Sequence, residues 1–314
     1  MALSEQLRAW QQLHPGPGLA VHDFDADGIC AAALWKRRME GPTQVISSRL
    51  HLPALRHPAQ RVYLLDLSCP QEGLPWSQPT AVIDHHPLPA RTPENCLVLH
   101  CSEHCSAWLA HDLFWAETEQ HAWIAALGIL SDLGDAVPCH LLQSQLEQWG
   151  LNPLRQITSL INSAHRAGGD CDQALQALLS HDSPRQLLQS RQECVTYLRQ
   201  CQRKVKKRLG QARQAPVVER GQLALVQFQC DCPIQSIIAQ IWKSRLPERV
   251  VLAANLRSDR PEVQLSVRSR GHLNAVELLG RLGLVVRGHP QSAGAVLTPT
   301  QWEDFLKRFY AHSH

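Results

Sequence analysis

Short apolar runs recur along the first hundred positions, and three of them stop at an acid. Gly18-Leu19-Ala20-Val21 stops at His22-Asp23, Arg61-Val62-Tyr63-Leu64-Leu65 at Asp66, and Pro79-Thr80-Ala81-Val82-Ile83 at Asp84. Runs of this length read as buried strands. We expect strands over residues 18–23, 61–66 and 79–84, with two weaker ones at Thr43 to Ser47 and Cys96 to Leu99. The intervening stretches carry helical spacing: residues 1–17, closed by His14-Pro15-Gly16-Pro17, then 29–39, Ser106 to Phe114 and Trp123 to Leu130. Strands alternating with helices imply a parallel sheet. Residues 141–214 are helical and rich in Gln, Leu and Arg. The pattern then starts afresh, with strands at Val217-Val218, Leu223 to Val226, Val250 to Ala253 and Val263 to Val267, and a helix from Ile234 to Leu246. The expected architecture is α/β throughout: a parallel-sheet domain over 1–190, a helical connector over 191–214, and a smaller α/β domain over 215–314.

Composition changes this picture little. The 314 residues are 44% hydrophobic and 19% charged, with a formal net charge of +3. No global basic field points to nucleic acid, so local features must carry any such argument. The 11 cysteines are scattered and odd in number. No basic segment followed by an apolar core opens the chain, so reduced thiols in the cytoplasm are expected. No apolar run is long enough for a membrane span. One local charge run stands out: Arg199, Arg203, Lys204, Lys206, Lys207, Arg208 and Arg213, with no acid among them. It reads first as a solvated helix face and second as a phosphate-contacting connector.

The chemistry gathers at the strand ends. In a parallel sheet the three acid-terminated strands finish on one edge, where ligands of open α/β sheets collect. Asp23, Asp25 and Asp27 fall within five residues, and Asp84-His85-His86 adds imidazoles to a further acid. Clustered carboxylates repel one another and favour a divalent cation. Mixed Asp and His donors suit Mn2+ better than Ca2+ and tolerate Mg2+. Asp132 and Asp135 follow another apolar run, Ala126 to Leu130. Other candidates read more simply. His22 and Asp23 support the cluster rather than ligate, Asp135 caps, and Ser106 is a helix N-cap. The His100 to Cys105 stretch and Cys230-Asp231-Cys232 hold ordinary side chains and free thiols rather than zinc. The tryptophans, such as Trp108, Trp115 and Trp242, are core.

Asp23-Phe24-Asp25-Ala26-Asp27-Gly28, Asp66, Asp84-His85-His86 and Asp132 stand in the order of the four motifs of the DHH phosphoesterase superfamily. The form of the first motif resembles the RecJ single-strand exonuclease branch. Further stretches resemble the same branch: Ile161-Asn162-Ser163-Ala164-His165-Arg166, Pro233 to Ala239, Leu265-Ser266-Val267-Arg268-Ser269, and Gly288-His289-Pro290-Gln291-Ser292-Ala293-Gly294, the last two in its DHHA1 domain. The likeness covers roughly residues 18–298. It departs at Leu284 to Gly288, where one glycine stands for several, and at His165, where glycine is usual. The sequence leaves no room for the OB-type domain of many bacterial RecJ proteins.

The resemblance implies a DHH domain at 1–190 and a DHHA1 domain at 215–314. It implies two divalent cations, Mn2+ before Mg2+, held by Asp25, Asp27, Asp66, Asp84, His85 and Asp132, with Asp66 bridging. His86 would act beside the attacked phosphate, and Arg268, Ser269, His289 and Arg166 would hold nucleotide phosphate. The implied activity is release of nucleotides from single-stranded nucleic acid, DNA from the 5′ end first, with DNA repair or replication partners. Two alternatives stand beside it. One is a phosphodiesterase or phosphatase for short oligonucleotides, dinucleotides or 3′,5′-bisphosphonucleoside. The other is a catalytically silent module that binds DNA or replication proteins.

Overall fold

The computed structural model describes residues 2–46, 52–69, 73–271 and 273–311, and only the backbone at 287–289. Contacts divide the chain into one unit of Met1–His165 with Asp170–Gln200, and a second of Arg166–Gly169 with Cys201–His314.

In the first unit, α1 (Leu3–Leu13) leads into β1 (Gly18–His22), α2 (Ala26–Met39), β2 (Thr43–Val45), β3 (Arg61–Leu65), β4 (Thr80–Asp84) and β5 (Cys96–His100). Ser47, expected at the end of the second strand, lies outside the described residues. The five strands form one sheet in the order β2-β1-β3-β4-β5, and every pairing is parallel. Successive side chains of a strand point to opposite faces. Here Ala20, Tyr63, Leu65, Ala81 and Ile83 enter one apolar cluster, and Leu19, Val21, Val62, Leu64 and Val82 enter another. Both faces are covered, which is why these strands read as unbroken apolar runs rather than alternating ones. The chain leaves β1 toward β2 on one side and returns to β3 on the other. The carboxyl ends of β1 and β3 therefore flank a topological switch point, where such sheets bind ligands.

α2 starts three residues earlier than the apolar pattern suggests. The Asp25 carboxylate accepts the amides of Asp27 (3.0 Å) and Gly28 (3.3 Å), capping the helix. All its residues from Ala26 to Trp35 are buried. α3 (Ser106–Phe114), α4 (Ala122–Asp132) and α7 (Asp172–Leu179) pack against it. The long helical stretch after residue 140 breaks into α5 (His140–Trp149), α6 (Leu151–Arg166), α7, α8 (Pro184–Gln189) and α9 (Glu193–Ala212). The unit boundary falls within α9.

The second unit holds β6 (Val217–Arg220), β7 (Leu223–Cys230), α10 (Gln235–Arg245), β8 (Val250–Arg257), β9 (Val263–Arg268), α11 (Ala275–Arg281), β10 (Arg287–His289), β11 (Ser292–Leu297) and α12 (Pro299–Ala311). Its sheet runs β10-β11-β9-β8-β7-β6 and is mixed: only β7 and β8 pair in parallel. Trp302, Phe305 and Phe309 of α12 fill its core beside Leu225, Leu252 and Val267. The short β10 and α11 carry weak patterns that the sequence alone does not mark as elements.

Candidate metal centre

Every acid of the first-unit motifs arrives at the carboxyl edge of the parallel sheet or beside it. Asp25 caps α2, Asp27 lies in its first turn, Asp66 follows β3, and Asp84 closes β4. Asp132 closes the helix α4, in keeping with the helical spacing up to Leu130. His85 ties the set together. Its Nε2 lies 3.5 Å from Asp66 Oδ1, 3.6 Å from Asp132 Oδ2 and 4.0 Å from Asp27 Oδ2. His86 Nδ1 lies 2.8 Å from Asp84 Oδ1 and 3.9 Å from Asp66 Oδ1. Two groups each bring donor atoms within 4.8 Å of one another: Asp66, His85 and His86, and Asp23, Asp25 and Asp66. Asp66 belongs to both. Asp23, read as a supporting residue, thus places its carboxylate among the others.

The backbone holds this arrangement under tension. Asp66 has φ of 61°, in the left-handed region that non-glycine residues seldom occupy. Asp27 is 1% exposed, and its carboxyl is pushed up to about 6 by burial and then by the charges of Asp132 and Asp25. It is nevertheless gripped: its two oxygens accept the amides of Ser106 (2.8 Å) and Ala107 (2.9 Å) at the start of α3. Cys105, not Ser106, occupies the N-cap position of that helix, and the acceptor comes from α2 instead. The Ser106 hydroxyl points elsewhere, to Asp66 Oδ1 at 3.0 Å.

Two glycines make the approach of these acids feasible. A Cβ on Gly28 would sit 2.8 Å from Asp23 Cβ and 2.9 Å from the Asp23 backbone. A Cβ on Gly128 in α4 would meet Asp27 Oδ1 at 2.7 Å and collide with Ala107. Asn162 of α6 accepts the Ala26 amide (3.1 Å) and donates to Ser131 (3.0 Å), fastening the start of α2 to α4. Gly128, Ser106 and Asn162 escape a search for charged motifs. A lone glycine inside the apolar helix was the one available sign of close packing.

His22 is fully buried and its pKa is lowered by burial to about 4, with Nδ1 2.7 Å from the Asp23 carbonyl. It packs as a neutral ring beneath the cluster. Since the unfolded chain takes up this proton below about 6.5 and the fold refuses it until about 4, its contribution to stability is present at pH 7 and fades as pH falls through that window. We expect about 2 kcal/mol of lost stability at pH 5 from this residue. Urea titrations of wild type and His22→Leu at pH 7 and pH 5 check it: the wild type should lose the larger amount.

The remaining candidates are placed as follows. Asp135 pairs with Arg155 at 3.0 Å rather than capping a helix. His100 Nε2 meets the His86 carbonyl at 2.9 Å, and His104 stacks on Trp108 at 3.6 Å, so the His100 to Cys105 stretch supports the site's rim. Phe24 and His165 stack at 4.8 Å. In the second unit Cys230, Asp231 and Cys232 also bring three donors together. Lys204 (3.0 Å) and Arg208 (2.8 Å) already hold the Asp231 carboxylate, which opposes a cation there. These pairs, with the Arg199 bonds to the Ser190 and Leu188 carbonyls, absorb three of the seven charges in the basic run. Arg268 ends β9 and bonds to Ser266 Oγ (3.0 Å) and the Val267 carbonyl (2.8 Å). Ser269 is fully buried, and its hydroxyl is committed to the carbonyls of Leu273 (2.6 Å) and Pro290 (3.3 Å), so it shapes a turn instead of offering a donor outward. Arg166 ends α6, half-buried; the side chain of His289 lies outside the described residues.

No family model matches the chain, and no curated protein matches it by sequence. Solved structures do. RecJ from Thermus thermophilus, in complex with Mn2+, aligns over 98% of this chain and 53% of its own length, at 19% identity and a TM-score of 0.74. This chain therefore spans about half of that protein. An exonuclease RecJ bound to manganese aligns over 99% of this chain and 94% of its own, at 20% identity and a TM-score of 0.67. A pGpG-specific phosphodiesterase, PggH from Vibrio cholerae, aligns over 95% of this chain and all of its own, at 14% identity and a TM-score of 0.57. At such identities the likeness speaks for the fold alone: the chain folds like these RecJ and phosphodiesterase structures, and its own acid cluster sits at the switch point of the parallel sheet.

Proposed function

We propose that the chain is a metal-dependent phosphodiesterase of RecJ-like kind, releasing nucleotides from single-stranded nucleic acid, DNA from the 5′ end before other substrates. The observation that carries this reading is the convergence of Asp25, Asp27, Asp66, Asp84, His85 and Asp132 around one point of the sheet edge. The donor set fits divalent cations. Asp66 stands in both close-packed groups, and the burial and neighbouring charges that push Asp27 up are what a cation would offset. When bound, Mn2+ or Mg2+ would activate water and neutralise charge on the phosphate.

The chain's own residues would do the rest. Asp25, Asp27, Asp66, Asp84, His85 and Asp132 would hold the cations. Asp84 fixes the ring of His86 through Nδ1, and His86 orients the phosphate under attack. Arg268, His289 and Arg166 offer charge to nucleotide phosphate, and Ser269 braces the turn after Arg268. A second reading, hydrolysis of dinucleotides or similarly short substrates, is supported by the likeness to the pGpG-specific phosphodiesterase.

Purified protein with Mn2+ and a labelled single strand, its duplex, a dinucleotide and a 3′,5′-bisphosphonucleoside tests the proposal. Cleavage of the single strand in preference to the duplex, abolished by EDTA and restored by Mn2+, is expected. Turnover of only the two small substrates would overturn the exonuclease reading in favour of the second. No turnover of any, with strand binding retained, would point to a silent module.

A further inference from the structure

The first residue of α3 touches both of the acids that anchor the site. Its amide, with that of Ala107, holds Asp27, and its hydroxyl holds Asp66 Oδ1 at 3.0 Å. Ser106 is fully buried, so water does not compete for that hydroxyl. Asp66 sits just past the end of β3 in a left-handed conformation, with other carboxylates facing it. Repulsion from those neighbours would swing an untethered side chain away.

We propose that Ser106 is the positioning residue of the metal centre: its hydroxyl sets the orientation of the Asp66 carboxylate before any cation arrives. The inference rests on the reading of this cluster as a metal site. Ser106 lies in none of the acidic motifs, and no charge pattern marks it. Partners that orient a ligand contribute to metal affinity without touching the ion, and their loss commonly weakens binding by about 10–100-fold.

The test is Mn2+ affinity of the full chain, measured by calorimetric titration and by electron paramagnetic resonance of free Mn2+, beside the melting temperature of the metal-free protein. Ser106→Ala is compared with Thr80→Val. Thr80 is equally buried and hydrogen-bonded, but it opens β4 at the opposite end of that strand. Wild type and Thr80→Val should bind Mn2+ alike, and Ser106→Ala about 10–100-fold more weakly. Ser106→Cys, with the same shape and a weaker donor, should fall between them, and it carries the test if the alanine variant does not fold. Wild-type affinity in either Ser106 variant, or an equal loss in Thr80→Val, would overturn the positioning role. A wild-type protein that binds no Mn2+ would instead overturn the metal reading on which it rests.

Discussion

Asp66→Asn should lower phosphodiester cleavage by about a thousandfold or more while leaving the metal-free fold as stable as before, or more so. The loss follows from the place of Asp66 in both close-packed donor groups. A cation held there would supply several kcal/mol of charge stabilisation in the transition state, and each 1.36 kcal/mol is tenfold in rate. The preserved stability follows from three features of the residue. Asparagine tolerates the left-handed backbone that Asp66 adopts at φ 61°. Its amide oxygen still accepts the Ser106 hydroxyl. And one charge leaves a cluster whose members repel. Steady-state cleavage assays and thermal melts without metal check both halves. A melting temperature lowered by many degrees would show that Asp66 holds the fold rather than the chemistry.

Asp27→Ala should behave in the opposite way on stability. It also removes a proposed ligand, so cleavage should again be lost. Here, however, the buried amides of Ser106 and Ala107 lose their acceptor. Each buried donor left unpaired costs about 1–3 kcal/mol, and α3 loses the negative charge at its N-terminus. Relief of repulsion on a carboxyl already pushed up to about 6 offsets part of this. We expect a net destabilisation of about 2–4 kcal/mol, measured by urea unfolding of the metal-free protein. Equal melting of the Asp27 and Asp66 variants would contradict the division of labour between a clasp and a hub.

That division was not legible in the sequence. The strands were, because a sheet buried on both faces needs continuous apolar runs, and Leu19 to Val21, Val62 to Leu65 and Ala81 to Ile83 supply them. The acids were legible too, since each follows such a run or, at Asp132, an apolar helix. What periodicity does not encode is how the elements reach across one another. Asp27 serving α3, Ser106 serving β3 and Asn162 of α6 serving α2 are long-range pairs between uncharged or singly charged residues, with no local spacing to betray them. For the same reason Ser106 reads as a cap for its own helix when its hydroxyl in fact belongs to another strand's acid. In the second unit, motif likeness marks Ser269 as a phosphate contact. Only the fold shows its hydroxyl turned inward to two carbonyls.

These carboxylates and His85 are proposed to form a two-cation site at the sheet edge. Anomalous diffraction at the manganese edge from crystals grown with Mn2+ tests it most directly. Two peaks roughly 3.5–4 Å apart are expected, both near the Asp66 carboxylate, with Asp25, Asp27, Asp84, His85 and Asp132 around them. No peak at this cluster, or a single peak at Cys230 and Cys232 in its place, would contradict it.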